Sequence, residues 1–154
     1  MARDFRTDSE FFALLMGSYA RLVGKLLVPE GKDAAWLYAQ APIAVVAHNT
    51  DPDPKFIYAN RCAQTCFEYS WDEFIGLPSR LSAEAPERAE RQALLDAVAK
   101  NSFMSGYRGI RVAKSGRRFL IEDGVIWKLI DEKGRRRGAA ATFPPGGTSD
   151  LLAA

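Results

Sequence analysis

The sequence predicts an α+β fold in which an amphipathic helix precedes two strands, several short helices and three closing antiparallel strands. Three observations carry this. Apolar residues recur at three-four spacing from Phe12 to Leu27. A β-branched run follows Pro42. Three strand patterns close the chain, separated by the turn signals Ser115-Gly116 and Asp131-Glu132-Lys133-Gly134. The chain has 154 residues, 47% of them hydrophobic, which suits one domain with a real core.

The elements follow in order. Thr7-Asp8-Ser9-Glu10 reads as a capping box, with the Thr7 hydroxyl accepting at the N-terminus of the first helix. Phe12, Leu15, Met16, Tyr19, Leu22, Val23, Leu26 and Leu27 form one stripe, and Pro29 and Gly31 end it. A short helix spans 33–39. Residues 43–48 and 56–59 read as strands around a Pro-rich turn. Asn60 is placed to cap a helix over 61–67, and Ser70-Trp71-Asp72-Glu73 is a second capping box, stopped by Gly76-Leu77-Pro78. Pro86 opens a helix to Lys100, with Ala89, Ala93, Leu94, Ala97 and Val98 inward. Strands are expected over 104–114, 117–130 and 137–143. These signals divide the chain into a helical extension (1–40), a domain (41–143) and a tail (144–154) expected to be disordered.

Composition narrows the function classes. With 21 basic and 19 acidic residues the net charge is +2, which argues against nucleic acid or an anionic membrane as obligate partner. The runs Arg117-Arg118 and Arg135-Arg136-Arg137 read as solvated turn residues. The N-terminus has no apolar signal-peptide core, no apolar run is long enough to span a bilayer, and two cysteines form no disulfide scaffold, so the expected compartment is the cytoplasm.

The order of elements and a set of short words resemble a PAS domain. The words are Ala41-Pro42-Ile43, Tyr58-Ala59-Asn60, Tyr69 to Gly76, Lys114-Ser115-Gly116-Arg117 and Asp131 to Gly134. The run Leu77 to Glu84, with Glu87-Arg88-Ala89-Glu90-Arg91, is similar to the MEKHLA family, a PAS-like group of small bacterial proteins and plant homeodomain-leucine-zipper termini. The letters of the family name do not occur as a run here, which places the chain on the bacterial side. The resemblance implies a five-stranded antiparallel sheet with short helices on one face, and a sensory or small-ligand role.

Candidate chemistry is sparse. Cys62 and Cys66 share a helix face, but with His48 as the single histidine they do not make a zinc site. Asn60-Arg61-Cys62-Ala63-Gln64 is not the word of a light-oxygen-voltage flavin site, and the cysteines read as packing. His48 reads as a strand-end hydrogen-bonding residue rather than a haem ligand. No nucleophile elbow or phosphate loop is present, so no enzyme is expected. A two-residue turn at Ser115-Gly116 would set Arg108 opposite Asp123 on the core face, with Phe119, Ile121, Val125, Trp127 and Leu129 on the same side of one strand. That pair is either a structural salt bridge or the polar anchor of a ligand cavity. A catalytic Asp123 is the least supported alternative. The small-residue strand 138–142 leaves room above the sheet. The expected lining is Arg108, Asp123, Trp127, Tyr58, Phe67, Phe74 and Thr142. No cofactor is identified. The stripe Phe12, Leu15, Tyr19, Leu22 and Leu26 either packs on its own domain or forms a homodimer or signalling-partner interface.

Overall fold

The computed structural model describes residues 4–82, 92–93 and 96–145. Helix α1 spans Ser9–Val23, α2 Ala34–Ala39, β1 Ala44–His48, β2 Phe56–Ala59, α3 Arg61–Phe67 and α4 Trp71–Phe74. A 3-10 turn at Ser79–Ser82 follows, then β3 (Phe103–Val112), β4 (Arg118–Ile130) and β5 (Arg136–Phe143). The five strands form one sheet in the order β2-β1-β5-β4-β3, every neighbouring pair antiparallel. Most of the expected helix 86–100 and nearly all of the tail 144–154 lie outside the described residues; 96–101 are helical, with Val98 buried.

The caps explain where the helices begin. Asp8, not Thr7, caps α1, its carboxylate accepting from Glu10 N and Phe11 N at 2.8 and 3.0 Å. An ionised acceptor at the positive end of the helix gains from the dipole as well as from the bonds. The box at Ser70 and Glu73 is complete in both directions. The Asn60 side chain uses its full capacity. Its Oδ1 accepts from Ala63 N and Val45 N, both at 3.0 Å, and its Nδ2 donates to Leu37 O and Ile43 O at 3.1 and 2.9 Å. With Asn60 fully buried, this one amide ties α2, β1 and α3 together.

Both faces of the sheet are covered. Ala44, Val46, Phe56, Phe119, Ile121 and Phe143 pack with α3 and α4 on one face. Val45, Ala47, Tyr58, Trp127, Leu129 and Ala140 pack with Leu15, Tyr19 and Leu37 on the other. The stripe of α1 therefore meets its own sheet. Tyr19 stands edge-on to Trp127 at 4.9 Å, and the Trp127 indole N–H donates to Ser18 Oγ at 3.0 Å. Of the expected interface residues, Leu15 and Tyr19 are buried inside the protein; the helix stops at Val23, and Gly24 closes it with φ +80°. Leu26 lies beyond it, 61% exposed.

The β3–β4 hairpin differs from expectation by one residue. Ala113 N donates to Arg117 O, so the loop holds three residues, Lys114 to Gly116, and Gly116 takes the positive φ (+89°) that such a loop needs. Arg111 pairs with Phe119 and Ile110 with Leu120, whereas the two-residue turn that sets Arg108 opposite Asp123 would pair Val112 with Phe119 and Ile110 with Ile121. A one-residue slip turns each side chain to the other face. Farther along, β4 carries an extra residue between Ile121 and Gly124, with Asp123 at φ +55°. β3 answers with one between Met104 and Tyr107, where Gly106 has φ +68°. The bulge on β4 reverses its phase, so Phe119 and Ile121 face α3 while Trp127 and Leu129 face α1.

Two outcomes test this account. Asn60→Ala leaves two buried N–H and two carbonyl groups short of a partner and is expected to cost about 3–5 kcal/mol in urea unfolding. Ser18→Ala alone is expected to cost ~1–2 kcal/mol by stranding the indole N–H, and its combination with Trp127→Phe less than the two single costs added. Strict additivity in that cycle would refute the coupling.

Candidate functional site

The slip and the bulges decide what faces the interior beneath α3. The inward positions are Tyr107, Gly109 and Arg111 on β3 and Phe119, Ile121, Gly124 and Ile126 on β4. The Arg108–Asp123 pair is not formed. Arg108 lies 3.7 Å from Glu122, both well exposed, and Asp123 sits in the bulge, also exposed. Among the described residues the buried cation is Arg111, 7% exposed.

Tyr107 lies flat on the sheet because two glycines leave space for it. A Cβ at Gly109 would stand 2.1 Å from the Tyr107 hydroxyl, and one at Gly124 would stand 3.2 Å from its ring. The Arg111 guanidinium sits 5.2 Å from the ring centre, a cation–π contact, and its Nη1 donates to Ile110 O at 2.9 Å. The small strand β5 adds further room. Trp127 pairs with Ala140 and Ile126 with Ala141, so no bulky side chain comes from that strand's centre.

The result is a cavity of about 60 Å³ between sheet and helices, walled by Phe56, Phe67, Tyr107, Ile121 and Ala139 to Phe143, with Arg111, His48 and Ser82 as polar neighbours. One water needs roughly 10–15 Å³ on this measure, so the space suits a few waters or one small molecule. It is far below the several hundred Å³ of sites for flavin- or haem-sized groups. Of the expected lining, Phe67 and Thr142 border the cavity. Phe74 lies behind Phe67, their ring centres 5.4 Å apart. Tyr58 and Trp127 belong to the opposite face, and Arg108 and Asp123 to the surface. His48 closes one end, with Nδ1 3.0 Å from the Asn49 carbonyl, as a strand-end hydrogen-bonding histidine should.

A polar clamp positions Phe67. Lys114 N donates to Phe67 O at 2.9 Å. Arg117 bridges Glu68 at 2.9 Å and donates from Nη2 to Cys66 O at 2.9 Å. Ser115 N donates to Glu68 at 3.1 Å, and Lys114 pairs with Glu73. Ser115 and Arg117 hold the Glu68 carboxyl below its ordinary range. Cys62 and Cys66 are free, Cys66 buried among the aromatic rings and Cys62 half-buried. A hydrogen bond between the thiols, then burial, pushes Cys66 up, and that bond lowers Cys62. Among the described residues there is no cluster of three metal-binding side chains and no helix long and apolar enough to cross a membrane.

Arg111 carried no signal in the sequence stronger than that of Arg108. Both lie in an alternating strand, and only the loop length chooses between them. The glycines at 109 and 124 were the available sign, as strand glycines mark close approach of another group.

Residues 9–145 match the family model described as the MEKHLA domain. No curated protein matches the chain. Among solved structures the fold is similar to the crystal structure of the PAS domain of a protein from Colwellia psychrerythraea (TM-score 0.63, 18% identity, 78% of this chain and 95% of that one). It is also similar to a light-oxygen-voltage domain studied with a flavin analogue (TM-score 0.56, 17% identity, 65% and 74%). An RNA-binding light-oxygen-voltage receptor matches at TM-score 0.61 and 22% identity, over 77% of this chain and 35% of that one.

Acidification tests the clamp. The folded Glu68 carboxyl lies below its ordinary value of 4.5, so its contribution is complete above that pH and is lost as the pH falls through the folded value. Wild type is expected to lose more of its melting temperature between pH 6 and 3 than Glu68→Gln does. Parallel curves for the two would remove Glu68 from the account.

Proposed function

The chain belongs to the MEKHLA domain family, and from that premise we propose that it is a non-enzymatic sensory module that binds a small molecule in the cavity beside Tyr107 and Arg111. The supporting observation is the cavity itself: two glycines, a small-residue strand and an aromatic ring hold open a space that ordinary packing would fill. The buried Arg111 at its edge favours a ligand carrying a carbonyl or other acceptor. Binding would act on Phe67 and so on the clamp that joins α3 to the β3–β4 hairpin. The PAS likeness supports a signalling context by analogy of fold, which does not by itself assign a ligand.

A second reading is a protein-interaction module, as homodimer or docked to a signalling partner. With Leu15 and Tyr19 committed to the sheet, such contact would use the half-buried Phe12 and Leu22 and the exposed Leu26. Neither reading calls on nucleic acid or a membrane, and a cytoplasmic setting suits both.

Native mass spectrometry of freshly purified protein, paired with an NMR fragment screen, tests the first reading. A retained or added small molecule is expected to shift Phe67, Tyr107 and Arg111. Ala141→Leu, which extends a side chain into the cavity, is expected to abolish those shifts while the protein stays folded. If no molecule shifts these residues in wild type, the binding claim fails. Light scattering on wild type and Leu26→Glu separates the second reading.

A further inference from the structure

The opposite face of the sheet holds an unsatisfied group. Tyr58 is 2% exposed, and among the described residues its hydroxyl has no hydrogen-bond partner. Such a group is costly to bury, so its isolation calls for a reason. The gap beside Tyr58, bordered by Phe5, Phe11, Leu15 and Leu37, is too narrow for water to answer it.

Two rings touch Tyr58, and the segment before α1 covers both. Phe11 lies 5.3 Å from the Tyr58 ring, and Phe5 stacks on Phe11 at 4.3 Å with 16° between planes. Trp71 lies 6.0 Å from Tyr58, and the Arg6 guanidinium sits 5.1 Å over Trp71. Arg6 pairs with Asp4 at the surface, and the bond from Asp8 N to Phe5 O is long, 3.4 Å. On its outer side Phe5 borders an open groove of about 190 Å³, shared with Phe11, Leu14 and Arg137. Phe5 thus lines both the gap beside Tyr58 and the groove that opens to solvent.

We propose that Phe5 is a displaceable plug over a second binding pocket, separate from the cavity under α3, and that the pocket takes a flat aromatic molecule bearing a hydrogen-bond acceptor. The ligand ring replaces that of Phe5 in the stack on Phe11, and its acceptor receives the Tyr58 O–H. Occupancy ejects residues 4–6 from the surface of the domain. The site would then report its ligand through the position of the N-terminal segment.

Phenol and benzene, titrated into the full chain and followed by NMR, test this. Phenol is expected to bind wild type saturably, with shifts at Phe5, Phe11 and Tyr58, and benzene about tenfold more weakly for want of an acceptor. Phe5→Ala is expected to bind phenol at least about tenfold more tightly, because no plug competes. Tyr58→Phe loses only a partnerless hydroxyl; it is expected to melt no lower than wild type and to bind phenol and benzene alike. The proposal is overturned if wild type shows no saturable phenol binding, or if Tyr58→Phe keeps the preference for phenol or is clearly destabilised. It is overturned equally if phenol shifts Phe67 and Arg111 instead, an outcome that would leave the cavity under α3 standing.

Discussion

A single buried amide sets the frame of this domain. Asn60 closes β2, opens α3, and holds the entry of β1 and the end of α2 through four hydrogen bonds of its side chain. Two of those bonds reach residues more than fifteen positions earlier in the chain, at Leu37 and Ile43. A fully satisfied buried amide has one arrangement, because each alternative strands a donor or an acceptor in an apolar interior. The relative placement of α2, β1 and α3 follows, and with it the side of the sheet on which Phe67 and Phe74 lie.

The candidate site depends on a different device. The cavity exists because β3 and β4 meet in a register that points Tyr107 and Arg111 inward and sends Arg108 and Asp123 out. The three-residue loop sets that register, and the paired bulges at Gly106 and Asp123 carry it past the middle of the sheet. From the sequence, Lys114-Ser115-Gly116-Arg117 was plainly a turn. Whether two or three residues formed it was not legible, since Gly116 serves either loop at its positive φ. Period two makes that single residue decisive: the same strand offers Arg108 in one register and Arg111 in the other.

Helix α1 shows a second limit of local reading. Its apolar stripe states that one face will be covered, and says nothing about what covers it. The answer lies in Trp127, whose indole N–H needs an acceptor once buried and finds Ser18 on the helix. That contact joins residues 109 positions apart. The family match, beginning at residue 9, takes in the helix that packs there.

What the sequence by itself determined is the set of local structures: the caps at Asn60 and Ser70, the stops at Gly76 and Pro78, the turns at Gly116 and Gly134, and the order of strands and helices. These depend on groups a few residues apart, whose geometry the backbone fixes. The tertiary structure alone decided which side chains face which layer. It committed α1 to the sheet, moved Trp127 and Tyr58 away from Phe67, and placed Arg111 at the cavity edge. The physical reason is that facing depends on pairing between distant strands, where one inserted residue reverses a whole face, and no window of neighbouring residues contains that information.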